Sequence, residues 1–266
     1  MALNPRITDW QGRRVWLIGA STGIGLATAQ ALHRAGAQVV VSARKETQLA
    51  AFVRDHPGAR AIPLDVTDAA AMAAAVGAFS DATLPDCVVY CAGHYRPMGV
   101  ASWDLADALR HGDVNYRGFL YLLDALLPRW LNTQAPQPRH ISIIGSVAGY
   151  RGLPQSLAYG PTKAALINLA EALYLDLRPR GIGVSLISPG FVETPLTRHN
   201  DFPMPALITP AQAAQAMLRG WAKGQFEIHF PRRFTWAMQL LRLLPYRSYF
   251  AITRQVRPRA EPAAGK

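Results

Sequence analysis

Tyr159 and Lys163, in the run Tyr159-Gly160-Pro161-Thr162-Lys163, are spaced to do proton chemistry. Residues i and i+4 of a helix share one face. A free phenol has a pKa of about 10, too high for proton exchange at neutral pH. A neighbouring ammonium favours the phenolate and lowers that value, which would make Tyr159 a usable general acid or base. Pro161 is tolerated only within a first helical turn, so Tyr159 is expected at a helix start. Ser146, upstream in Ile143-Ile144-Gly145-Ser146-Val147-Ala148-Gly149, follows an apolar run and could donate a hydrogen bond to a substrate carbonyl. Taken singly, a Tyr/Lys pair is common in any protein, and a serine there reads equally well as an ordinary turn residue.

A second group suits an anion. Gly19-Ala20-Ser21-Thr22-Gly23-Ile24-Gly25 lies between an apolar run and a helical pattern. Glycines let a backbone turn sharply and approach a pyrophosphate, whose charge then sits at a helix N-terminus. The end of the second strand distinguishes the two nicotinamide dinucleotides, because an acid there holds a ribose 2′-hydroxyl and an arginine a 2′-phosphate. Here it reads Ser42-Ala43-Arg44-Lys45, with the nearest acid, Glu46, beyond two cations. Arg44 can meet a phosphate bidentately, which favours NADP, with NAD the alternative.

Alternating patterns supply the scaffold for these residues. Strands are expected at Val15–Ile18, Val39–Val41, Ala61–Leu64, Cys87–Tyr90, His140–Ile144, Val184–Ile187 and Phe226–Phe230. Helices are expected at Ile24–Ala35, Glu46–Arg54, Asp68–Phe79, Asp104–Trp130 (with a break near Gly112), Ala158–Leu177 and Thr209–Ala222. Continuously apolar strands separated by helices specify a parallel sheet covered on both faces. The expected fold is α/β, a doubly wound Rossmann-like sheet. Residues 10–231 form the dinucleotide-binding catalytic domain, and 232–266 an amphipathic, basic extension whose last ten residues read as a frayed end.

The 266 residues are half hydrophobic and 17% charged, which argues against disorder. Two cysteines, Cys87 and Cys91, exclude a disulfide scaffold and a four-cysteine zinc site, and no metal is expected. The first eleven residues carry no apolar core of a signal peptide, and no apolar run is long enough to span a bilayer, so a cytoplasmic protein is expected. Net charge is +11. Residues 219–266 hold ten cationic and two acidic side chains, so most of the excess sits in the tail and the body is nearly neutral. That distribution argues against a nucleic-acid partner.

The chain resembles the single-domain short-chain dehydrogenases/reductases of about 250 residues. The resemblance rests on the Gly19/Gly23/Gly25 loop, Asp65-Val66, Cys91-Ala92-Gly93, Asn115, Ser146, Tyr159 with Lys163, and Pro189-Gly190-Phe191-Val192-Glu193-Thr194, in family order from about residue 13 to 195. It implies an oxidoreductase that moves a hydride between a nicotinamide cofactor and a carbonyl/alcohol pair. Tyr159 would exchange the proton, Lys163 would lower its pKa and hold the nicotinamide ribose, Ser146 would polarise the carbonyl, and Asn115 would hold a relay water. Gly19, Ser21, Thr22, Gly23, Ile24, Gly25, Arg44, Asp65, Val66, Ala92, Gly93, Pro189, Gly190, Val192 and Thr194 would contact the cofactor, Asp65 near the adenine. The resemblance also implies a homo-oligomer, dimer or tetramer, built on the two long helices. A non-catalytic protein that senses nicotinamide redox state is the alternative, and it would not need all four catalytic side chains. The family's Asn-Asn-Ala-Gly is Tyr90-Cys91-Ala92-Gly93 here, which predicts some loss of local stability.

Leu196–Ile208, with Phe202, Pro203, Met204 and Pro205, reads as a substrate lid whose apolar content suits an apolar substrate. Tyr95, Arg96, Met98 and Tyr150–Leu153 are candidates for the same cleft, or for plain loop packing. In Phe234–Ile252, Trp236, Leu240, Leu243 and Leu244 share a helical stripe among arginines, with Pro245 ending it. Such a segment either makes peripheral membrane contact or covers the cleft or a subunit contact.

Overall fold

A computed structural model describes residues 2–198 and 203–254. Seven strands form one sheet: β1 (Arg14–Ile18), β2 (Gln38–Ala43), β3 (Arg60–Pro63), β4 (Cys87–Tyr90), β5 (His140–Ile144), β6 (Gly183–Pro189) and β7 (Glu227–Phe230). Their order is β3-β2-β1-β4-β5-β6-β7, and every neighbouring pair is parallel. The order reverses between β1 and β4, the point at which a doubly wound sheet opens a crevice beyond its strand ends.

Successive strand residues point to opposite faces, and here both faces are covered. Trp16, Ile18, Val88 and Tyr90 pack under α3 (Ala69–Gly77), α5 (Gly118–Asn132) and α6 (Tyr159–Leu177). Val15, Leu17, Val39 and Val89 pack under α1 (Gly23–Arg34), α2 (Glu46–Asp55) and α7 (Pro210–Ala222). Residues before Trp10 are also seated on the sheet: the Asn4 amide pairs with both main-chain groups of Val184 at 2.7 and 3.0 Å.

The expected long helix over 104–130 is two helices, α4 (Leu105–Gly112) and α5, joined by a π-helical turn over Asp113–Arg117. The cause is close packing against β4. A methyl on Gly118 would sit 2.5 Å from the Tyr90 hydroxyl and 2.7 Å from the Val66 carbonyl, and that hydroxyl donates to the Val114 carbonyl at 2.7 Å. Two further helices, α8 (Arg232–Arg242) and α9 (Tyr246–Thr253), end the described chain, with Pro245 capping α9. Among the described residues no helix is long and apolar enough to cross a membrane. Phe202 of the expected lid and the expected frayed end Arg257–Lys266 lie outside the described residues.

Candidate active site

The carboxyl ends of β1, β4, β5 and β6 converge on one region. Gly19 follows β1 with φ +88°, and a methyl on it would lie 2.4 Å from the Ala92 amide nitrogen. Only glycine permits that contact, which sets the glycine loop against Ala92-Gly93 after β4. Gly25 is equally constrained, its added methyl falling 2.4 Å from the Gly19 carbonyl. Gly23 has φ +58° and faces the Thr194 methyl, so the stretch after β6 closes on the same loop. Thr22 caps α1 without a side-chain bond, and the first turn of α1, with Ile24, has no acid. The helix therefore presents its N-terminus to the loop with no built-in anion, as a bound pyrophosphate requires.

Arg44 follows β2 and is exposed. Burial pushes the Asp65 carboxyl up, but the Thr67 amide and hydroxyl and the charges of Arg44 and Arg110 outweigh this and hold it below the ordinary carboxylate range. Arg44 and Asp65 thus stand within electrostatic reach of each other, beside buried Val66. Pro189 closes β6, the Gly190 amide donates to Phe230 at 2.7 Å, and Val192 is buried and bridged to Ile208. Together these features fit a dinucleotide laid across the switch point: a Cβ-free cradle, an uncapped helix start and a cation at the β2 end.

Tyr159 opens α6, with Pro161 in the first turn as its spacing demanded. Ser146 accepts from the Ala148 amide at 3.1 Å, which leaves its own proton to donate toward the Tyr159 hydroxyl. The turn carrying Ser146 lies hard against α6, since a methyl on Gly149 would sit 2.6 Å from the Lys163 carbonyl carbon. Lys163 is buried; its ammonium donates to the Ile144 carbonyl at 2.8 Å and lies 5.6 Å from the Tyr159 ring centre. Gly93 lies close by: a methyl added there would fall 3.9 Å from Lys163 Nζ.

One expectation needs correction: the Tyr159 pKa is not brought below its ordinary value here. Burial pushes the phenol up to about 12, against the Ser146 hydrogen bond, and burial pushes Lys163 down to about 8. The ammonium is turned to a carbonyl, and desolvation of the phenolate dominates. The Asn115 side chain is engaged by protein groups. Its two amide hydrogens go to the His94 carbonyl and Thr162 hydroxyl, both at 3.0 Å, and its oxygen accepts from the His94 amide at 2.7 Å. From the π-turn, Asn115 straps the loop after β4 to α6. The departure at Cys91 is bridged by main chain, its amide donating to the Ile18 carbonyl at 2.7 Å, while burial pushes the thiol up to about 12.

The structure adds a group that the sequence did not single out. His94 Nε2 meets the Asp107 carboxylate at 2.7 Å, and the rings of His94 and His111 lie 4.4 Å apart. These atoms are near enough to share a metal ion, but both His111 nitrogens are already spent on main chain, at Arg96 and Asp107. Tyr95 packs edge-on against Tyr159 at 4.8 Å, and Met98 is buried. Arg96 turns outward to Asp104, and the Tyr150 hydroxyl donates to Glu227. The histidine group carries no local signal, because His94 meets Asp107 across 13 positions; of the cleft candidates named from sequence, Tyr95 is brought against Tyr159.

Comparison with known proteins agrees with this geometry. The family model described as short chain dehydrogenase matches residues 13–202. A Myxococcus xanthus protein named as an uncharacterized oxidoreductase is 33% identical over 92% of this chain and 98% of its own length. The 2-keto-3-deoxy-L-fuconate dehydrogenase of Xanthomonas campestris is 32% identical over 71% of this chain and 61% of its own. A short-chain dehydrogenase of Burkholderia cenocepacia, crystallised with NADP, superposes with a TM-score of 0.80 at 22% identity, covering 94% of this chain and all of that one.

Proposed function

The chain is an oxidoreductase of the short-chain dehydrogenase family, and from this premise we propose that it interconverts a carbonyl and an alcohol using NADP(H), with Tyr159 as the general acid and base. When bound, the dinucleotide supplies or accepts the hydride; the protein supplies orientation and a proton. Ser146 donates to the substrate oxygen and polarises it. Tyr159 gives its proton to that oxygen in reduction and takes it back in oxidation. Lys163 offsets the charge left on the phenol and reaches toward the cofactor ribose. The glycine loop holds the pyrophosphate, Pro189, Gly190, Val192 and Thr194 flank the nicotinamide side, and Arg44 holds the 2′-phosphate. The Tyr95 ring packed against Tyr159 favours an apolar substrate, and the working form is a homo-oligomer.

The convergence of Ser146, Tyr159 and Lys163 beside the glycine cradle carries this reading. A panel of ketones, sterols, acyl thioesters and sugars, followed by NADPH absorbance, identifies a substrate. Tyr159→Phe should then cost about a hundredfold or more in kcat with NADPH affinity nearly unchanged, measured by nucleotide fluorescence. Wild-type turnover in that variant would remove the proton-transfer role.

A further inference from the structure

Helices α8 and α9 reverse the usual rule for a surface helix, which buries its apolar stripe. On α8, Phe234, Thr235 and Met238 face the protein. The opposite stripe is Trp236, Leu240 and Leu243, which are 54%, 67% and 78% exposed. On α9, Tyr246 and Phe250 are also exposed, their rings stacked 5.7 Å apart. Residues 232–254 contain five arginines and no acid or lysine, and all five arginines are exposed.

The pair is firmly seated. The Arg151 guanidinium donates to the carbonyls of Leu241, Arg242 and Leu244 at the end of α8 and lies over the Tyr246 and Tyr249 rings at 4.7 and 4.1 Å. Tyr249 donates to the Gly152 carbonyl, and Gln239 to Glu227 at 3.0 Å. Phe234 packs on Gly190 and Phe191. The seat is therefore made by the chain that follows Ser146 and the chain that follows β6, so the helix pair is anchored on segments that adjoin the candidate site, with its apolar stripe turned outward.

We propose that α8 and α9 dock the protein on an anionic bilayer surface, and that the substrate is a lipophilic alcohol or carbonyl drawn from that bilayer. The second clause rests on the oxidoreductase reading above. Both helices are far too short to span a bilayer, and they combine Trp, Tyr, Phe and Leu with arginine as an interfacial segment does. Arginines pair with lipid phosphates, and anionic headgroups attract them. A second copy of the chain is a poorer occupant. In a two-fold contact the same patch meets itself, and its arginines would face arginines with no acid between.

The test uses the full chain and sedimentation with vesicles of phosphatidylcholine alone or mixed with phosphatidylserine. Binding is expected to the mixed vesicles and to weaken with salt. The triple change Trp236→Gln, Leu240→Gln, Leu243→Gln touches only exposed positions and should cut partitioning by about tenfold or more. It should leave turnover of a short water-soluble substrate unchanged while lowering turnover of a vesicle-borne one. Failure of the wild type to sediment with anionic vesicles, or equal sedimentation of the triple variant, overturns the docking. So does a wild-type dimer that the triple change converts to monomer in light scattering. Vesicle binding without turnover of any panel compound would keep the docking and remove the proposed carbonyl/alcohol activity and the substrate clause that rests on it.

Discussion

Tyr159 and Lys163 bring opposite tendencies into one site. Burial holds the phenol protonated, with its pKa up to about 12, and brings the ammonium down to about 8. On the proposed mechanism, the tyrosine at neutral pH then has its proton to give, and the lysine is still charged to offset the developing phenolate. Carbonyl reduction is expected to run at a constant kcat below about pH 8 and to fall above it as Lys163 loses its charge. Alcohol oxidation, which needs the phenolate, should rise toward alkaline pH. Initial rates in both directions across the pH range test this, and a reduction rate that climbs through pH 8 would refute it. At the other end of the crevice, Arg44 stands exposed near Asp65, and on the proposed NADP(H) reading its guanidinium would hold the 2′-phosphate. Arg44→Ala should raise the Kd for NADPH by about tenfold and leave that for NADH almost unchanged. Titrations with the two nucleotides measure the difference, and equal losses would remove the phosphate assignment.

Elements position these side chains through contacts that admit no added atom. The short helical turn at Val147–Gly149 touches α6 main chain to main chain. Gly149→Ala would place a methyl 2.6 Å from the Lys163 carbonyl carbon and 2.8 Å from the Ala164 nitrogen. Neither can rotate away, so the turn must lift off α6 and take Ser146 with it. The expected cost is about 1–3 kcal/mol in stability and a marked drop in kcat, read by denaturant unfolding and steady-state rates. Gly152→Ala, whose methyl would meet open space, should do neither.

The same contacts explain what the sequence could and could not reveal. The seven strands, the glycine loop and the Tyr159/Lys163 step are set by local spacing and were readable as such, whereas the strand order appears only in the folded sheet. The π-turn is not, because it depends on Tyr90 reaching Val114 across 24 positions. The strap from Asn115 to His94 and Thr162 joins three elements, so no local pattern announces it. The direction of the Tyr159 shift depends on burial, which residue spacing does not report. The stripe on α8 was visible as a stripe, but only packing shows that its apolar side faces outward.

For the molecule as a whole, acid stability is governed by groups sealed away from water in the sheet. His140 begins β5 and is buried against Gly183 of β6, its Nε2 meeting the Ser185 hydroxyl at 3.0 Å. Burial pushes its pKa down to about 3, and the charge of Arg13 pushes the same way. An unfolded histidine titrates at about 6.5. Between those two values the unfolded chain holds a proton that the folded chain refuses, so folding stability falls as the pH drops through this window. The slope contributed by one such group approaches about 1.4 kcal/mol per pH unit. The depressed carboxylates Asp65 and Asp107 add a further loss only at lower pH, below the ordinary carboxylate range. Unfolding free energies from urea titrations at pH 7 and pH 5 should therefore decline for the native chain. His140→Gln can keep a hydrogen bond to Ser185 but has no proton to take up, so its decline should be smaller by about 2 kcal/mol. Parallel declines in the two proteins would show that His140 is not the group that sets acid sensitivity.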